Sequence, residues 1–331
     1  MADALVVTEK GSKAQLLEID EQEFFHGSGG DEAVDLDVLF SGINYKDGLA
    51  LLGRPGVVRE WPLVAGIDVV GRVSASGSPR FGVGDLVVLT GDGIGESRHG
   101  GLATRARVRP DALIALPDGI SPQRAAAIGT AGFTAMLAVL ALEDAGVTPD
   151  AGEVLVTGAA GGVGSLAVSL LSSRGYMVVA SSGRVQEQGA YLRGLGASDV
   201  IERAPLGEPG KPLQGQRWAG AIDSVGSHTL ANVLAQTTYG GTVVACGLAQ
   251  GGDLPTTVMP FILRSVTLTG ANSVEAPLAL RERAWAALAA ELDLDALDSM
   301  TETVPLTGAL EVAERILDGK VRGRTVVDPA L

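Results

Sequence analysis

The chain has 331 residues; 46% are hydrophobic, 19% charged and 4% aromatic, with 46 glycines and a formal net charge of −14. That length and apolar share suit two compact domains with sizeable cores, and the acidic balance argues against nucleic acid or an anionic membrane surface as a partner, while leaving room for an anionic small molecule in a local basic pocket. One cysteine, Cys246, excludes an intramolecular disulfide and fits a reducing compartment. Met1-Ala2-Asp3-Ala4 lacks a basic region and an apolar signal core, and no uninterrupted apolar run is expected to reach membrane-spanning length, so a cytoplasmic protein without a membrane partner is expected.

In chain order, the first stretch to about residue 120 reads as short strands and turns. Ala33 to Leu39 alternates apolar and acidic residues, the period of a half-buried strand. Leu63 to Val73 and Asp85 to Thr90 are Val-rich runs broken by Gly and Pro, which suggests a partly open barrel or sandwich. Ser121-Pro122 opens a helix, with Ser as N-cap and Pro at the first helical position, and an Ala-rich helical pattern runs from Arg124 to Ala145. From Glu153 to about Leu268 strands and helices alternate: a helix from Ser165 to Arg174, strands at Tyr176–Ala180, Ala219–Gly226 and Thr242–Cys246, and a helix from Thr229 to Gln236. Such alternation implies a parallel sheet with right-handed crossovers. A helix at Leu278–Leu292, a strand at Met300–Val304, a helix at Gly308–Leu317 and a strand at Arg324–Val327 complete the chain; this tail is expected to return to the first domain.

The most informative segment is Glu153-Val154-Leu155-Val156-Thr157-Gly158-Ala159-Ala160-Gly161-Gly162-Val163-Gly164. An apolar strand ends in a glycine cluster that opens a helix. Glycines let the backbone approach a pyrophosphate, and the helix N-terminus offers free N–H groups and partial positive charge. Ala160 stands where a second motif glycine could stand, but the strand–turn–helix setting is the required one. The next strand selects the dinucleotide. An NAD enzyme would carry an acid near its end, on the ribose 2′-hydroxyl. Here Ser181-Ser182-Gly183-Arg184 follows, and the nearest acid, Glu187, lies several residues on. A hydroxyl and a guanidinium suit a 2′-phosphate, so the cofactor read is NADPH; the bland alternative is that Arg184 only starts a solvated helix.

Further segments carry a resemblance: Asn44-Tyr45-Lys46-Asp47, Gly66-Ile67-Asp68, Gly91 to Gly101 with Gly93-Ile94-Gly95-Glu96, Ile128 to Ala135, Ser182-Gly183-Arg184, Trp218 to Asp223, Leu254 to Arg264 and Gly323-Arg324-Thr325. With the glycine turn, these span nearly the whole chain. The chain resembles the medium-chain dehydrogenase/reductase superfamily, and within it the zinc-independent quinone-oxidoreductase-type acryloyl-coenzyme A reductases. The resemblance implies an α/β protein: a GroES-like, mostly-β catalytic domain at 1–123 and 271–331, with a doubly wound parallel-sheet Rossmann NADPH-binding domain at 124–270 inserted into it. It also implies a nicotinamide in the cleft between them and a homodimer joined through the Rossmann sheets.

Zinc members of that superfamily hold metal with Cys and His, the ligands tetrahedral zinc prefers. Here Asn44 and Gly66-Ile67-Asp68 stand where those enzymes place a Cys and a Gly-His-Glu, and His26, His99 and His228 have no ligand-like spacing. No metal is expected. Without a metal to polarise a carbonyl, hydride delivery to the β-carbon of an α,β-unsaturated carbonyl is the more accessible chemistry, with hydrogen bonds stabilising the enolate and a proton reaching the α-carbon. The catalytic candidates are Tyr45, Asn44 and Asp68. Tyr45 reads equally as a proton donor and as an aromatic wall on the nicotinamide; Asn44 holds the ribose or fixes a turn; Asp68 orients a neighbour or is structural. Lys46 and Asp47 read as local partners or a solvated pair. The cofactor candidates are Tyr45, Thr134, Gly158, Ala160, Gly161, Gly162, Val163, Gly164, Ser182, Gly183, Arg184, Gly247 and Leu248 at the sheet's carboxyl edge, Asn272, Ser273 and Arg324. Coenzyme A phosphates would need cations, for which Arg54, Arg59, Arg98, Arg264 and Arg322 are candidates.

The reading is an NADPH-dependent enoyl reductase converting a short unsaturated acyl-coenzyme A, acryloyl- to propionyl-coenzyme A. An NADPH:quinone or general enone reductase is the first alternative, and a non-catalytic NADPH-binding protein the second.

Overall fold

The computed structural model describes residues 1–331, and the chain divides into two compact units. Unit 1 comprises Met1–Phe133, Ser273–Ala289 and Leu297–Leu331; unit 2 comprises Thr134–Asn272 and Ala290–Ala296.

Unit 1 begins with β1 (Ala2–Val7), β2 (Gln15–Ile19), α1 (Glu21–Phe24), β3 (Val34–Ile43), α2 (Tyr45–Leu51), β4 (Leu63–Val64), β5 (Asp68–Ser76), β6 (Leu86–Thr90), β7 (Arg105–Val108) and β8 (Ile114–Ala115). Period-two alternation in β3 turns Val34, Leu36 and Val38 into a core shared with Val69, Val73, Val87 and Leu89. α3 (Pro122–Asp144) runs into unit 2, and Ser121 caps it, its hydroxyl accepting the Arg124 N–H at 3.2 Å.

The expected continuous helix is broken at Gly129, whose φ is +46° and ψ −158°. A side chain there would come within 2.4 Å of Asp68 Oδ2, so only glycine lets the helix turn its Thr130 N–H onto that carboxylate. α3 also corrects the reading that no run reaches membrane length. It is long and apolar enough to cross a bilayer, with a mean hydropathy of 2.0 over its most apolar window, but 89% of that window is buried in the fold.

Unit 2 carries β9 (Glu153–Val156), α4 (Gly162–Ser173), β10 (Met177–Ser182), α5 (Val185–Gly194), β11 (Asp199–Glu202), α6 (Ala204–Gly207), β12 (Trp218–Asp223), α7 (Ser227–Gln236), β13 (Thr237–Ala245), α8 (Met259–Arg264) and β14 (Thr267–Gly270). All pairs are parallel, in the order β11-β10-β9-β12-β13-β14. This is the Rossmann order, whose switch point falls between β9 and β12. Leu155, Val179, Ala221 and Val243 from four adjacent strands share one core with Val233 and Leu234 of α7. β13 is longer than the expected Thr242–Cys246, starting at Thr237 and ending at Ala245, with Cys246 just beyond it.

The chain ends with α9 (Leu278–Glu291), α10 (Leu294–Ser299), β15 (Thr301–Pro305), α11 (Ala309–Leu317) and β16 (Arg324–Asp328). β16 pairs antiparallel with β3, and β15 parallel with β16, so the tail extends the sheet β15-β16-β3-β5-β6-β8 of unit 1. α11 presents Ala309, Val312 and Ala313 to Ile43 at the end of β3 and to Leu51 of α2. Gly48 gives α2 its close approach, because a Cβ there would already stand 3.3 Å from Leu317.

Candidate functional site

In unit 1 the end of β3, the start of α2, the start of β5 and the break in α3 converge on a buried polar cluster. Asn44 is the N-cap of α2, and Asp47, three residues on, accepts the Asn44 N–H at 2.8 Å. The Asn44 amide nitrogen donates to Asp47 Oδ2 at 3.1 Å and to Asp68 Oδ2 at 2.8 Å, while Asn44 Oδ1 accepts from Arg324 Nη1 at 3.1 Å. Asp68 Oδ1 accepts the N–H and hydroxyl of Thr130 at 2.9 and 2.6 Å. Asp47 Oδ1 accepts the Ile67 N–H at 2.9 Å.

Two carboxylates and one guanidinium thus lie out of water. Asp47, Asp68 and Arg324 are 0%, 1% and 3% exposed. Arg324 also donates to the carbonyls of Ala127 and Ile43, and its Nη2 lies 3.8 Å from Asp68 and has no hydrogen-bond acceptor. Burial, reinforced by the Asp68 charge, pushes the Asp47 carboxyl up to about 7. Burial also raises Asp68, opposed by Arg324 and by the Thr130 and Asn44 hydrogen bonds. One cation cannot offset two ionised carboxylates here, so this pair is built to keep a proton near neutral pH.

Tyr45 follows the Asn44 cap as the first residue of α2 and is 49% exposed. Asn44 and Asp68 are in direct contact, as a site would require. Lys46 and Asp47 do not pair with each other: Lys46 Nζ binds Glu96 at 2.8 Å, and Asp47 turns inward. Arg324, expected to face the cofactor, is buried against carbonyls, Asn44 and Asp68. Spacing revealed neither Asp47 nor Thr130 as a member of this cluster. The signal was present in Asn44-x-x-Asp47, a capping pair that reads as an ordinary helix start.

Unit 2 holds the glycine turn. Gly158 has φ +58°, and a Cβ there would stand 2.4 Å from Ser224 Oγ. A Cβ on Gly164 would meet the Gly158 carbonyl at 2.4 Å, so this glycine sets the close packing of α4 on β9. Gly161, the N-cap, has only the Gly158 oxygen near its Cβ position, at 3.4 Å. Its outer face is open for a phosphate, and the N–H groups of Gly162, Val163 and Gly164 are the orphan donors of the helix start. Ala160 is buried, so the glycine spacing used is Gly158-x-x-Gly161-x-x-Gly164.

The carboxyl ends of β9 and β12 are braced by Thr157 Oγ1 donating to Asp223 Oδ1 at 2.6 Å and by Ser224 Oγ donating to the Thr157 carbonyl at 3.0 Å. At the end of β10, Ser182 is buried and its hydroxyl accepts the Arg184 N–H at 3.2 Å. Arg203 was missed from the sequence. Its N–H donates to the Ser182 carbonyl at 2.9 Å, and a Cβ on Gly183 would sit 3.0 Å from its Nη2. Helix α5 and strand β11 separate it from Arg184 in the chain, so the β10–β11 pairing is what brings Arg203 beside Gly183. Gly247 has its Cβ position 2.5 Å from the Ser224 carbonyl, Leu248 is exposed, Thr134 is buried and Asn272 is exposed. Ser273, in unit 1, has its carbonyl held by Arg281 at 3.0 Å.

No three His, Cys, Asp or Glu side chains group so as to hold a metal ion. His99 accepts the Val64 N–H on Nδ1 at 3.2 Å and packs against Phe24 and Phe25; burial lowers its pKa. The Cys246 thiol is pushed up to about 12 by burial and by Asp223.

A GroES-like unit paired with a six-stranded Rossmann unit is the architecture of a medium-chain dehydrogenase/reductase. Residues 30–118 match the alcohol dehydrogenase GroES-like domain, and residues 162–290 the zinc-binding dehydrogenase family. The chain is 49% identical over 326 residues to the "Probable acrylyl-CoA reductase AcuI" of Escherichia coli (strain K12), covering 98% of both chains. It is also 49% identical to the acrylyl-CoA reductase AcuI of Ruegeria pomeroyi, covering 89% of both. The crystal structure of the yhdH oxidoreductase from Salmonella enterica in complex with NADP superposes with a TM-score of 0.94 at 49% identity over 99% of both chains. The chain belongs to the quinone-oxidoreductase-type acryloyl-coenzyme A reductase family of the medium-chain dehydrogenase/reductases.

The raised Asp47 pKa gives a testable pH dependence. The folded state holds a proton that the unfolded chain releases above about 3.8, so this group's contribution to stability falls as pH rises from about 4 to about 7 and is level above that. Asp47→Asn should lower the thermal midpoint at pH 5 and flatten its decline between pH 5 and 8. A variant with the wild-type slope would show that Asp47 ionises freely.

Proposed function

We propose that the protein is an NADPH-dependent enoyl reductase that converts a short α,β-unsaturated acyl-coenzyme A, acryloyl-coenzyme A foremost, to its saturated product. The observation carrying this reading is the joint presence of an open phosphate cradle at Gly161–Gly164 and a serine–arginine pair at the end of β10, in a chain 49% identical over nearly its whole length to an acrylyl-CoA reductase.

The residues present fit NADPH. Gly158, Gly161 and Gly164 leave the space a pyrophosphate needs, and Gly162 and Val163 offer N–H donors to it. Ser182, Gly183, Arg184 and Arg203 form a cationic corner at which neither guanidinium has a carboxylate partner; a 2′-phosphate supplies the missing anion. Ala160, Thr134, Gly247, Leu248, Asn272 and Ser273 are proposed as further cofactor contacts. When bound, NADPH supplies a hydride to the substrate β-carbon.

The chain's own part is positioning and proton handling. Tyr45 is the exposed hydroxyl at the N-terminus of α2 and the group proposed to contact the cofactor and the enolate oxygen or α-carbon. Asn44 is locked by Asp47, Asp68 and Arg324, so the α2 N-terminus that carries Tyr45 is held rigid. Asp68 acts through Asn44, and Arg324 is proposed to hold Asn44 rather than the cofactor.

We further propose the domain division 1–123 with 271–331 and 124–270, a cytoplasmic location and a homodimer. Support for the dimer comes from β14, the edge strand of the parallel sheet, with exposed Val258, Ile262 and Leu263 on the neighbouring segment.

NADPH oxidation followed in parallel with acryloyl-coenzyme A, crotonyl-coenzyme A and a benzoquinone tests the reading. Fastest turnover of acryloyl-coenzyme A is expected; turnover of the quinone alone would replace it with a quinone reductase. Arg184→Ala should weaken NADPH by about 1.5–3 kcal/mol, the value of a charged hydrogen bond, and leave NADH little changed. Equal loss for both cofactors would remove the 2′-phosphate role. Ile262→Asp should convert the dimer to monomer in sedimentation, and a persistent dimer would rule out that face.

A further inference from the structure

Unit 1 contains a cavity of about 500 Å³ that the proposed chemistry leaves unused, within the size range of small-ligand sites. We infer that it binds the phosphorylated adenosine end of coenzyme A, an inference that rests on the acyl-coenzyme A reading above.

Three arginines, Arg98, Arg107 and Arg109, line it beside one acid, Glu60, and each arginine is ion-paired with an aspartate outside the lining: Arg98 with Asp92, Arg107 with Asp35, and Arg109 with Asp92 and Asp111. Asp35 takes Nε and Nη2 of Arg107 at 2.6 and 2.8 Å, and Asp92 takes Nε and Nη2 of Arg109 at 3.3 and 2.6 Å. Neither aspartate lines the cavity; each fixes a guanidinium plane from behind and leaves its Nη1 unused. Arg98 is anchored through Nη1 to the Asp92 carbonyl. Guanidiniums held in this way bind phosphate without first paying to be ordered.

The loop from Gly27 to Gly30 also lines the cavity, with Gly29 against the Val108 carbonyl. Gly27, Gly29 and Gly30 have φ of +75°, +79° and +69°, and their N–H groups have no acceptor. Beside Ser28, such an alternation turns backbone N–H groups toward an anion. Cβ positions on Gly27 and Gly30 meet nothing within 4 Å, so that face is open.

A partly aromatic wall against which a purine can pack adjoins it. His99 and Pro62 also line a neighbouring cavity of about 300 Å³ together with Phe24, whose ring lies 4.8 Å from that of His99. Burial favours the neutral imidazole, which suits stacking on a base.

The loop that carries Arg98 is tied to the start of α2. Lys46, next in the chain after Tyr45, binds Glu96 at 2.8 Å, and Arg98 follows two residues beyond Glu96.

The test compares acryloyl-coenzyme A with acryloyl-pantetheine, which lacks the phosphorylated adenosine, on wild type, Arg107→Gln and Arg98→Gln. Wild type should prefer the coenzyme A thioester in kcat/KM, and each variant should reduce that preference about tenfold or more, mainly through KM. Adenosine 3′,5′-bisphosphate should compete with acryloyl-coenzyme A but not with NADPH, and should do so less well in the variants. Equal kcat/KM for the two thioesters in wild type, or a preference unchanged in both variants, overturns the site while leaving the enoyl reductase reading intact. Turnover of neither thioester overturns both.

Discussion

The unit 1 site depends on one constraint: two carboxylates, Asp47 and Asp68, are buried around a single asparagine with one guanidinium to balance them. Burying a charge is costly unless every lone pair is occupied. The fold meets that demand with backbone N–H groups from Asn44, Ile67 and Thr130, drawn from three separate segments. Each donor ties its segment to the same point. The cap of α2, the start of β5 and the break in α3 are thereby fixed together, and Gly129 is glycine because no side chain fits beside Asp68. β16 joins the arrangement through Arg324. A residue from near the C-terminus thus completes a site begun at residue 44, which explains why the tail returns to the β-rich unit.

Unit 2 solves a different problem. At the switch point its sheet needs space and donors, and the carboxyl group there, Asp223, is held by Thr157 and the Gly226 N–H. Gly158 and Gly164 permit close packing, Gly161 leaves an open face, and the first turn of α4 supplies unpaired N–H groups. The proposed discrimination between dinucleotides rests one strand away, on Ser182, Arg184 and Arg203, where an NAD-selective chain would carry an acid. Together the units suit a reaction in which the cofactor brings the hydride and the protein contributes geometry and a proton.

Much of this was legible before folding. The Val-rich runs, the Ser121-Pro122 start and the strand–glycine–helix segment carry local signals strong enough to place their elements, because patterning and caps act within a few residues. Asn44 and Asp68 were singled out as candidates, and their contact is a tertiary fact. What stayed hidden depends on chain segments far apart in sequence. Arg203 reaches Gly183 only through parallel pairing of β10 with β11. Thr130 becomes a ligand of Asp68 only because Gly129 breaks a helix whose composition is otherwise continuous. Arg324 lies in a segment of family resemblance, yet the structure buries it against Asn44, a setting that no local pattern encodes. Of the three cavity arginines, Arg98 was already a candidate in the sequence, whereas Arg107 and Arg109 look like ordinary solvated residues there, since what distinguishes them is the aspartate paired with each.

The central claim is hydride delivery from NADPH to the β-carbon of an unsaturated acyl thioester, with the α-proton drawn from the protein and ultimately from water. Mass and NMR analysis of propionyl-coenzyme A formed from 4-deuterated NADPH in ordinary water, and from unlabelled NADPH in deuterated water, tests this most directly. The account predicts cofactor deuterium at the β-carbon alone and solvent deuterium at the α-carbon alone. Cofactor deuterium at the carbonyl carbon, or none in the acyl group, would contradict it.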